Sequence, residues 1–281
     1  MIALRRESAP PPPSDVSISN QAIAADDHEI PVRIYRPGTR APHPGIVYFH
    51  GGGWMFGSAE QSDPIAIRYC RAADAVVVSP DYRLSPEHPF PAGFEDCRNA
   101  LMWTFRSSKL LGIDADRIAV AGESSGANLA AACAIDVRDS GAPPLALQVL
   151  VYPALGLDFD TTSYVENTAA PVLSRDEMTF FWKAYLAASS ETQDPRAAPL
   201  VAPDLSGLAP AWIASAEYDP LREDGARYAR RLTEAGVSVD YRNAERLTHG
   251  FMRAWSVSDD VQAIGAAIIA ALRGAFGPAR R

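Results

Sequence analysis

The sequence has few of the features that mark secreted, membrane-spanning or disulfide-stabilised proteins. Its 281 residues include only three cysteines, Cys70, Cys97 and Cys133, with no C-x-x-C pair. This pattern indicates reduced, half-buried thiols rather than a disulfide framework. No apolar run approaches the ~18 residues that a membrane-spanning helix needs, and residues 1–13 lack the apolar segment of a signal peptide. We therefore expect a soluble cytoplasmic protein.

Basic runs are also missing. Lys and Arg total 26 against 34 Asp and Glu, which gives a formal net charge of −8. A negative charge of this size disfavours nucleic acid and anionic membrane surfaces as partners. A chain of this length is typical of one α/β domain, so we expect a single domain over residues 1–281.

Short apolar runs alternate with helix-like segments along most of the chain. Residues 16–24 and 30–35 alternate apolar and polar side chains, which predicts an antiparallel pair. Continuous apolar runs predict further, buried strands. These runs cover residues 45–49, 75–79, 118–121, 145–152, 211–216 and 237–242. The alternation of strands and helices predicts an α/β fold.

One of these strands, at residues 118–121, leads into a G-x-S-x-G motif centred on Ser124, and a helix-like stretch follows it. A serine at the tip of a strand-to-helix turn is strained, and Gly122 and Gly126 remove the collisions that larger side chains would cause. The turn would expose the Ser124 hydroxyl as a nucleophile. The same residues also fit a simple serine- and glycine-rich helix cap, but the flanking strand and helix favour the nucleophile.

A second glycine-rich loop follows the strand at residues 45–49. Three successive glycines after His50 let backbone amides approach a ligand oxygen closely. We predict that the amides of Gly51, Gly52 and Ser125 bind an oxyanion. A flexible surface loop is the alternative. We expect His50 to brace the loop rather than to transfer protons.

Asp219 and His249 stand after consecutive predicted strands, on the side of the sheet where Ser124 follows its own strand. We therefore predict that these three residues form a Ser-His-Asp triad.

Three other carboxylates compete for the acid role. Glu217 still lies on the predicted strand, while Glu223 and Asp224 fall in the first turn of the next helix, where they would favour the helix dipole. Position therefore selects Asp219.

Residues 154–203 interrupt the strand–helix rhythm. They contain turn residues, a predicted helix over residues 175–188 and a high density of aromatic side chains. We predict that this insertion and the short segment 1–20, which includes four consecutive prolines, form a small helical cap. A core helix would also explain the aromatic residues. The residues predicted to line the substrate pocket are Trp54, Phe181, Trp182 and Phe251.

Together these motifs resemble the hormone-sensitive-lipase-like family of α/β-hydrolase esterases. The resemblance covers roughly residues 28–275 and rests on five segments: 50–54 (HGGGW), 82–91 (YRLSPEHPFP), the serine motif, 219–225 (DPLREDG) and 249–251 (HGF). It implies an α/β-hydrolase fold with a mostly parallel eight-stranded sheet flanked by helices. It also implies carboxylester hydrolysis by Ser124, Asp219 and His249.

The sequence departs from the family pattern in two places. The family's serine motif usually reads Gly-Asp-Ser-Ala-Gly, whereas this chain has Glu123 and Ser125, which alters the polar groups near the nucleophile. The N-terminal segment is shorter and richer in proline than is usual, which predicts a more open pocket and a preference for short- to medium-chain acyl groups.

The expected reaction is acyl transfer to water through an acyl-enzyme intermediate, with a small-molecule ester as substrate and no metal or organic cofactor. Two alternatives stay open: an amidase or peptidase with the same triad, and a non-catalytic binding protein with a hydrolase fold. Relatives often pair through an edge strand, which predicts a possible homodimer through residues 237–242.

Overall fold

The computed structural model describes residues 13–187 and 191–278. Eight strands of this part of the chain form one sheet. They are β1 (Val16–Ala24), β2 (Glu29–Pro37), β3 (His43–Phe49), β4 (Val76–Pro80), β5 (Ile113–Glu123), β6 (Gln148–Val151), β7 (Ala211–Tyr218) and β8 (Val239–Thr248). The spatial order is β1-β2-β4-β3-β5-β6-β7-β8. The pairs β1–β2 and β2–β4 are antiparallel and the other neighbours are parallel. The predicted α/β-hydrolase fold is confirmed.

Helices cover both faces of the sheet. The α-helices of the described residues are α1 (Asp63–Ala73), α2 (Ala92–Arg106), α3 (Ser108–Leu111), α4 (Ser125–Asp139), α5 (Thr162–Glu166), α6 (Arg175–Tyr185), α7 (Arg222–Glu234) and α8 (Asp259–Phe276). Side chains of α2, α4 and α7 belong to the core on one face, and those of α1 and α8 to the core on the other.

Strand β3 explains why the central strands read as continuous apolar runs. All seven of its residues are buried. Ile46 and Tyr48 point into one core, and Val47 and Phe49 into the other. Because side chains alternate along a strand, a strand covered on both faces needs apolar residues at nearly every position.

The N-terminal part of the predicted cap is corrected by the structure. Residues 16–20 lie in β1 at the edge of the sheet, where Val16 pairs with Pro37 and Ala24 with Glu29. Their alternating pattern suits an edge strand with one buried face. Residues 1–12 lie outside the described residues.

Residues 154–203 lie between β6 and β7, as the sequence predicts, and contain α5 and α6. Ser174 and Glu177 form a capping box that fixes the start of α6. The helix ends at Tyr185 rather than at the predicted residue 188, which lies outside the described residues.

The second edge strand, β8, is longer than predicted. It extends to Thr248 because its last residues still pair with β7, around a register shift, while their polar side chains face outward. Within the described residues β8 has one strand neighbour, so its other side is unpaired there. The homodimer stays a prediction.

Helix α8 is not among the predicted elements, although its buried residues recur at helical spacing: Val261, Gly265, Ile268, Ile269, Leu272 and Phe276. The three cysteines were expected to be half-buried and are fully buried, in α1, α2 and α4. Burial raises the pKa of the Cys70 thiol to about 12, so it is not a reactive thiolate at neutral pH.

Candidate active site

The turn at Ser124 joins β5 to α4 in a strained backbone conformation. Ser124 has φ +55° and ψ −122°, which L residues rarely adopt. Such a conformation costs about 1–3 kcal/mol and persists where packing enforces it. A Cβ on Gly126 would lie 2.1 Å from the carbonyl oxygen of Phe49, and one on Gly122 would lie 2.3 Å from that of Gly126. Both glycines are therefore steric requirements of this turn.

Ser124, His249 and Asp219 lie together at the carboxyl ends of the parallel strands. They follow the parallel strands β5, β8 and β7, whose carboxyl ends point the same way. Nε2 of His249 is 3.0 Å from Oγ of Ser124, and its Nδ1 is 2.7 Å from Oδ2 of Asp219. Asp219 is fully buried, and its Oδ1 accepts a hydrogen bond of 2.9 Å from the amide of Leu221. This geometry allows the imidazole to take a proton from the hydroxyl while the carboxylate stabilises the resulting cation.

The three competing carboxylates bind backbone amides instead of His249. Glu217 accepts a hydrogen bond of 2.6 Å from an amide of β8. Glu223 accepts one of 2.9 Å from the amide of Ser163 in α5, and Asp224 binds two successive amides that follow β6. Glu223 and Asp224 both lie in the first turn of α7, as predicted. Their carboxylates also anchor the insertion.

The glycine-rich loop lies beside the serine. Gly51 and Gly52 line the same cleft as Ser124. A Cβ on Gly51 would lie 3.4 Å from the Cβ of Ser124, so the backbone of this loop passes close to the hydroxyl. Ser125 is the first residue of α4, where helix amides lack carbonyl partners within the helix. The amide of Ser125 therefore has no carbonyl partner within the helix and lies next to the serine.

The imidazole of His50 contacts this loop. It is buried, its ring stacks on Tyr82 at 4.3 Å, and its Nδ1 is 3.0 Å from the carbonyl oxygen of Gly51. Burial lowers the pKa of His50, so the ring is neutral at neutral pH. These contacts agree with the predicted bracing of the loop.

The cleft above Ser124 has a volume of about 200 Å³. The insertion supplies much of its apolar wall, through Val172, Leu173, Met178 and Phe181. Only Phe181 among these was predicted. The other three stand before and on α6, and a loop leucine or valine gives no sequence signal that it faces a cleft.

The other aromatic residues predicted for the pocket lie elsewhere. Trp54 and Trp182 are both 1% exposed and contact each other at 4.5 Å, and Trp54 stacks on Tyr185 at 4.3 Å. Phe251 is buried against Tyr152 at 4.9 Å. Large apolar side chains are needed both in the cores beneath the cleft and in the wall of the cleft. An aromatic residue type therefore does not by itself predict which residues line the cleft.

A larger depression of about 460 Å³ lies beside β1 and β2. Its cation, Arg33, already forms two hydrogen bonds of 2.8 Å with Asp63, so its charge is neutralised within the protein. The depression contains none of the groups around Ser124. The smaller cleft is therefore the candidate site.

No helix in residues 13–187 and 191–278 is both long and apolar enough to cross a membrane.

Comparisons with known proteins agree with this architecture. A family model described as the alpha/beta hydrolase fold matches residues 46–253. The carboxylesterase NlhH of Mycobacterium tuberculosis is 46% identical over 228 residues, which are 80% of this chain and 72% of that protein.

Solved structures give the same result. A bacterial heroin esterase superposes with a TM-score of 0.90 at 34% identity, covering 94% of this chain and 86% of its own. A hyperthermophilic esterase from the archaeon Pyrobaculum calidifontis gives a TM-score of 0.89 at 37% identity, covering 97% and 87%. With the serine turn, the glycine loop and the sheet order described above, the chain belongs to the hormone-sensitive-lipase-like family of carboxylic ester hydrolases with the α/β-hydrolase fold.

Proposed function

We propose that the chain hydrolyses short- to medium-chain carboxylic esters, with Ser124 as nucleophile, His249 as general base and Asp219 as the orienting carboxylate. The observation that carries the proposal is the continuous hydrogen-bonded series from the Ser124 hydroxyl through both nitrogens of His249 to a buried carboxylate, at 3.0 and 2.7 Å. Relatives named as carboxylesterases and esterases support the same reaction class.

The proposed reaction has two steps. His249 takes the proton of Ser124 as the hydroxyl oxygen attacks the ester carbonyl, and then gives that proton to the departing alcohol. Water, deprotonated by His249, next attacks the acyl-serine and releases the acid, while His249 returns the proton to the departing Ser124 oxygen. The amides of Gly51, Gly52 and Ser125 stabilise the oxyanion in both steps. A donor of this kind is typically worth ~3 kcal/mol, or a few hundredfold in rate.

The size of the cleft supports small acyl groups. Its volume of about 200 Å³ is below the roughly 300–1,000 Å³ typical of sites for drug-sized ligands. The side chain of Phe181 covers the glycine loop, since a Cβ on Gly53 would lie 2.7 Å from its ring. An extended acyl chain therefore meets the α6 wall close to the serine.

Ser124→Ala tests this function with a series of p-nitrophenyl esters of increasing acyl length. We expect Ser124→Ala to lose at least ~10³-fold in kcat, because removal of a nucleophile leaves only binding and oxyanion stabilisation. Ser256→Ala, at an exposed serine, is the matched control. Ester turnover that survives in Ser124→Ala would contradict the proposal, and a preference for acyl chains beyond ~12 carbons would contradict its substrate range.

Two further measurements distinguish the alternatives. Faster turnover of a p-nitroanilide than of the matching ester would favour an amidase. An organophosphonate should label Ser124 stoichiometrically in wild type. A folded protein with neither turnover nor label would instead favour a non-catalytic binding protein.

A further inference from the structure

Tyr152, the residue that follows β6, has an unusual backbone conformation beside the site. Its φ is +37°, a region that aromatic residues rarely occupy. It is 1% exposed, and its amide donates a hydrogen bond of 2.6 Å to the carbonyl oxygen of Ala214. Strain of this kind concentrates at functional sites. The contacts of its side chain therefore need an explanation.

The ring of Tyr152 contacts the imidazole of His249. The two ring centroids are 4.6 Å apart, with the ring planes inclined at 56°. Phe251 contacts the Tyr152 ring in turn, at 4.9 Å. The hydrogen bonds of His249 to Ser124 and Asp219 act in the plane of the imidazole, and they restrain rocking out of that plane weakly. A ring packed against the imidazole supplies the missing restraint.

The hydroxyl of Tyr152 donates a hydrogen bond to the carboxylate of Glu123. Glu123 directly precedes Ser124, and both Glu123 and Tyr152 line the cleft. Burial, followed by the charge of Glu123, raises the pKa of Tyr152 well above its usual value, so the hydroxyl keeps its proton as a donor. The ring that contacts the imidazole is thus tied to the peptide that carries the serine.

We infer that Tyr152, held by the Glu123 carboxylate, is a positioning residue that keeps the imidazole of His249 aligned with the Ser124 hydroxyl. This inference rests on the proposed esterase function. It also gives a role to the departure from the family motif at position 123, because the glutamate side chain is the acceptor that fixes the tyrosine. Neither residue exchanges a proton with the substrate in this role.

Steady-state kinetics on four variants test the inference. Tyr152→Phe keeps the ring and removes its tether, so we expect kcat to fall ~10-fold while KM changes less than ~2-fold, since misalignment affects the chemical step. Glu123→Ala should have the same effect. Glu123→Gln retains an oxygen that accepts from the hydroxyl and should keep at least about a third of kcat. The double variant Tyr152→Phe with Glu123→Ala should be no slower than either single variant, since each change removes the same hydrogen bond. Tyr241→Phe on β8 is the control.

A Tyr152→Phe variant with unchanged kcat, or with only KM altered, would overturn the inference. So would a Glu123→Gln variant as slow as Glu123→Ala, because charge rather than a hydrogen-bond acceptor would then matter. Thermal unfolding of each variant identifies loss of folding, and if Tyr152→Phe does not fold, the two Glu123 variants decide. Loss of turnover in Ser124→Ala with normal kcat in Tyr152→Phe contradicts only this inference, whereas turnover that persists in Ser124→Ala contradicts the proposed function itself.

Discussion

Asp224 offers a sharp test of how the insertion is attached to the sheet domain. Its Oδ2 accepts hydrogen bonds of 2.7 and 3.0 Å from the amides of Leu155 and Gly156, where the insertion begins. The carboxyl is 1% exposed. Burial raises its pKa from 3.8 to about 7, although the two amides and Arg227 act in the opposite direction. The ionised form is therefore more costly in the folded protein than in the unfolded chain.

The sign and size of the effect on stability follow from these two pKa values. Between pH 3.8 and about 7 the folded state binds a proton that the unfolded state has lost, so the free energy of unfolding falls as pH rises. A difference of about 3 pKa units corresponds to about 4 kcal/mol at ~1.4 kcal/mol per unit. This is a large share of the roughly 5–15 kcal/mol that stabilises a typical domain.

Asp224→Asn removes the ionisation and keeps an oxygen that accepts from both amides. We expect its free energy of unfolding to equal that of wild type near pH 4 and to exceed it by about 4 kcal/mol near pH 8. Urea unfolding of both proteins across this range measures the difference. Asp26→Asn, at an exposed aspartate, controls for the general effect of removing a negative charge. A difference that does not change with pH would refute the reasoning.

Two further predictions concern the serine turn and the cleft wall. Gly126→Ala should lower the free energy of unfolding by at least ~2 kcal/mol, because its Cβ would collide with a carbonyl oxygen at 2.1 Å. Gly274→Ala in α8, with open space around it, should raise that free energy by ~0.5–1 kcal/mol, and equal effects in urea unfolding would contradict this account. Phe181→Ala should shift the acyl-length optimum to longer p-nitrophenyl esters, because it removes part of the cleft wall. Phe180→Ala, at a residue 57% exposed, is the control and should not shift the optimum. An unshifted profile for Phe181→Ala would show that this wall does not limit acyl-chain length.

The sequence predicts most of the sheet and the meeting of the three polar residues because both depend on local pattern and chain order. A strand buried on both faces must be mostly apolar, as β3 is over residues 45–49. A serine turn of this kind needs glycine on both sides, as the distances at Gly122 and Gly126 demonstrate. Because β5, β7 and β8 are parallel, the residues that follow them lie at the same end of the sheet. Ser124, Asp219 and His249 are those residues, and this placement does not depend on the path of the insertion.

Of the two edge strands, β1 is confirmed with its predicted bounds, whereas β8 is longer than predicted. The residues of β8 beyond its predicted end are mostly polar and are predicted as a loop, although they pair with β7. Residues 16–20 were predicted both as strand and as cap, and pairing with β2 decided for the strand. Ala244 is the one fully buried residue among the ten of β8, so the burial pattern of this strand carries a weak signal in the sequence.

Only the tertiary structure decided which side chains face the cleft. Phe180, Phe181 and Trp182 follow one another on α6, and they are exposed, part of the cleft wall and buried, respectively. Successive helical side chains point about 100° apart, so the exposure of each one depends on how the helix packs against the sheet. The local sequence of three aromatic residues does not specify that packing. The contact between Glu123 and Tyr152, 29 residues apart, likewise exists only because β5 and β6 are neighbours in the sheet.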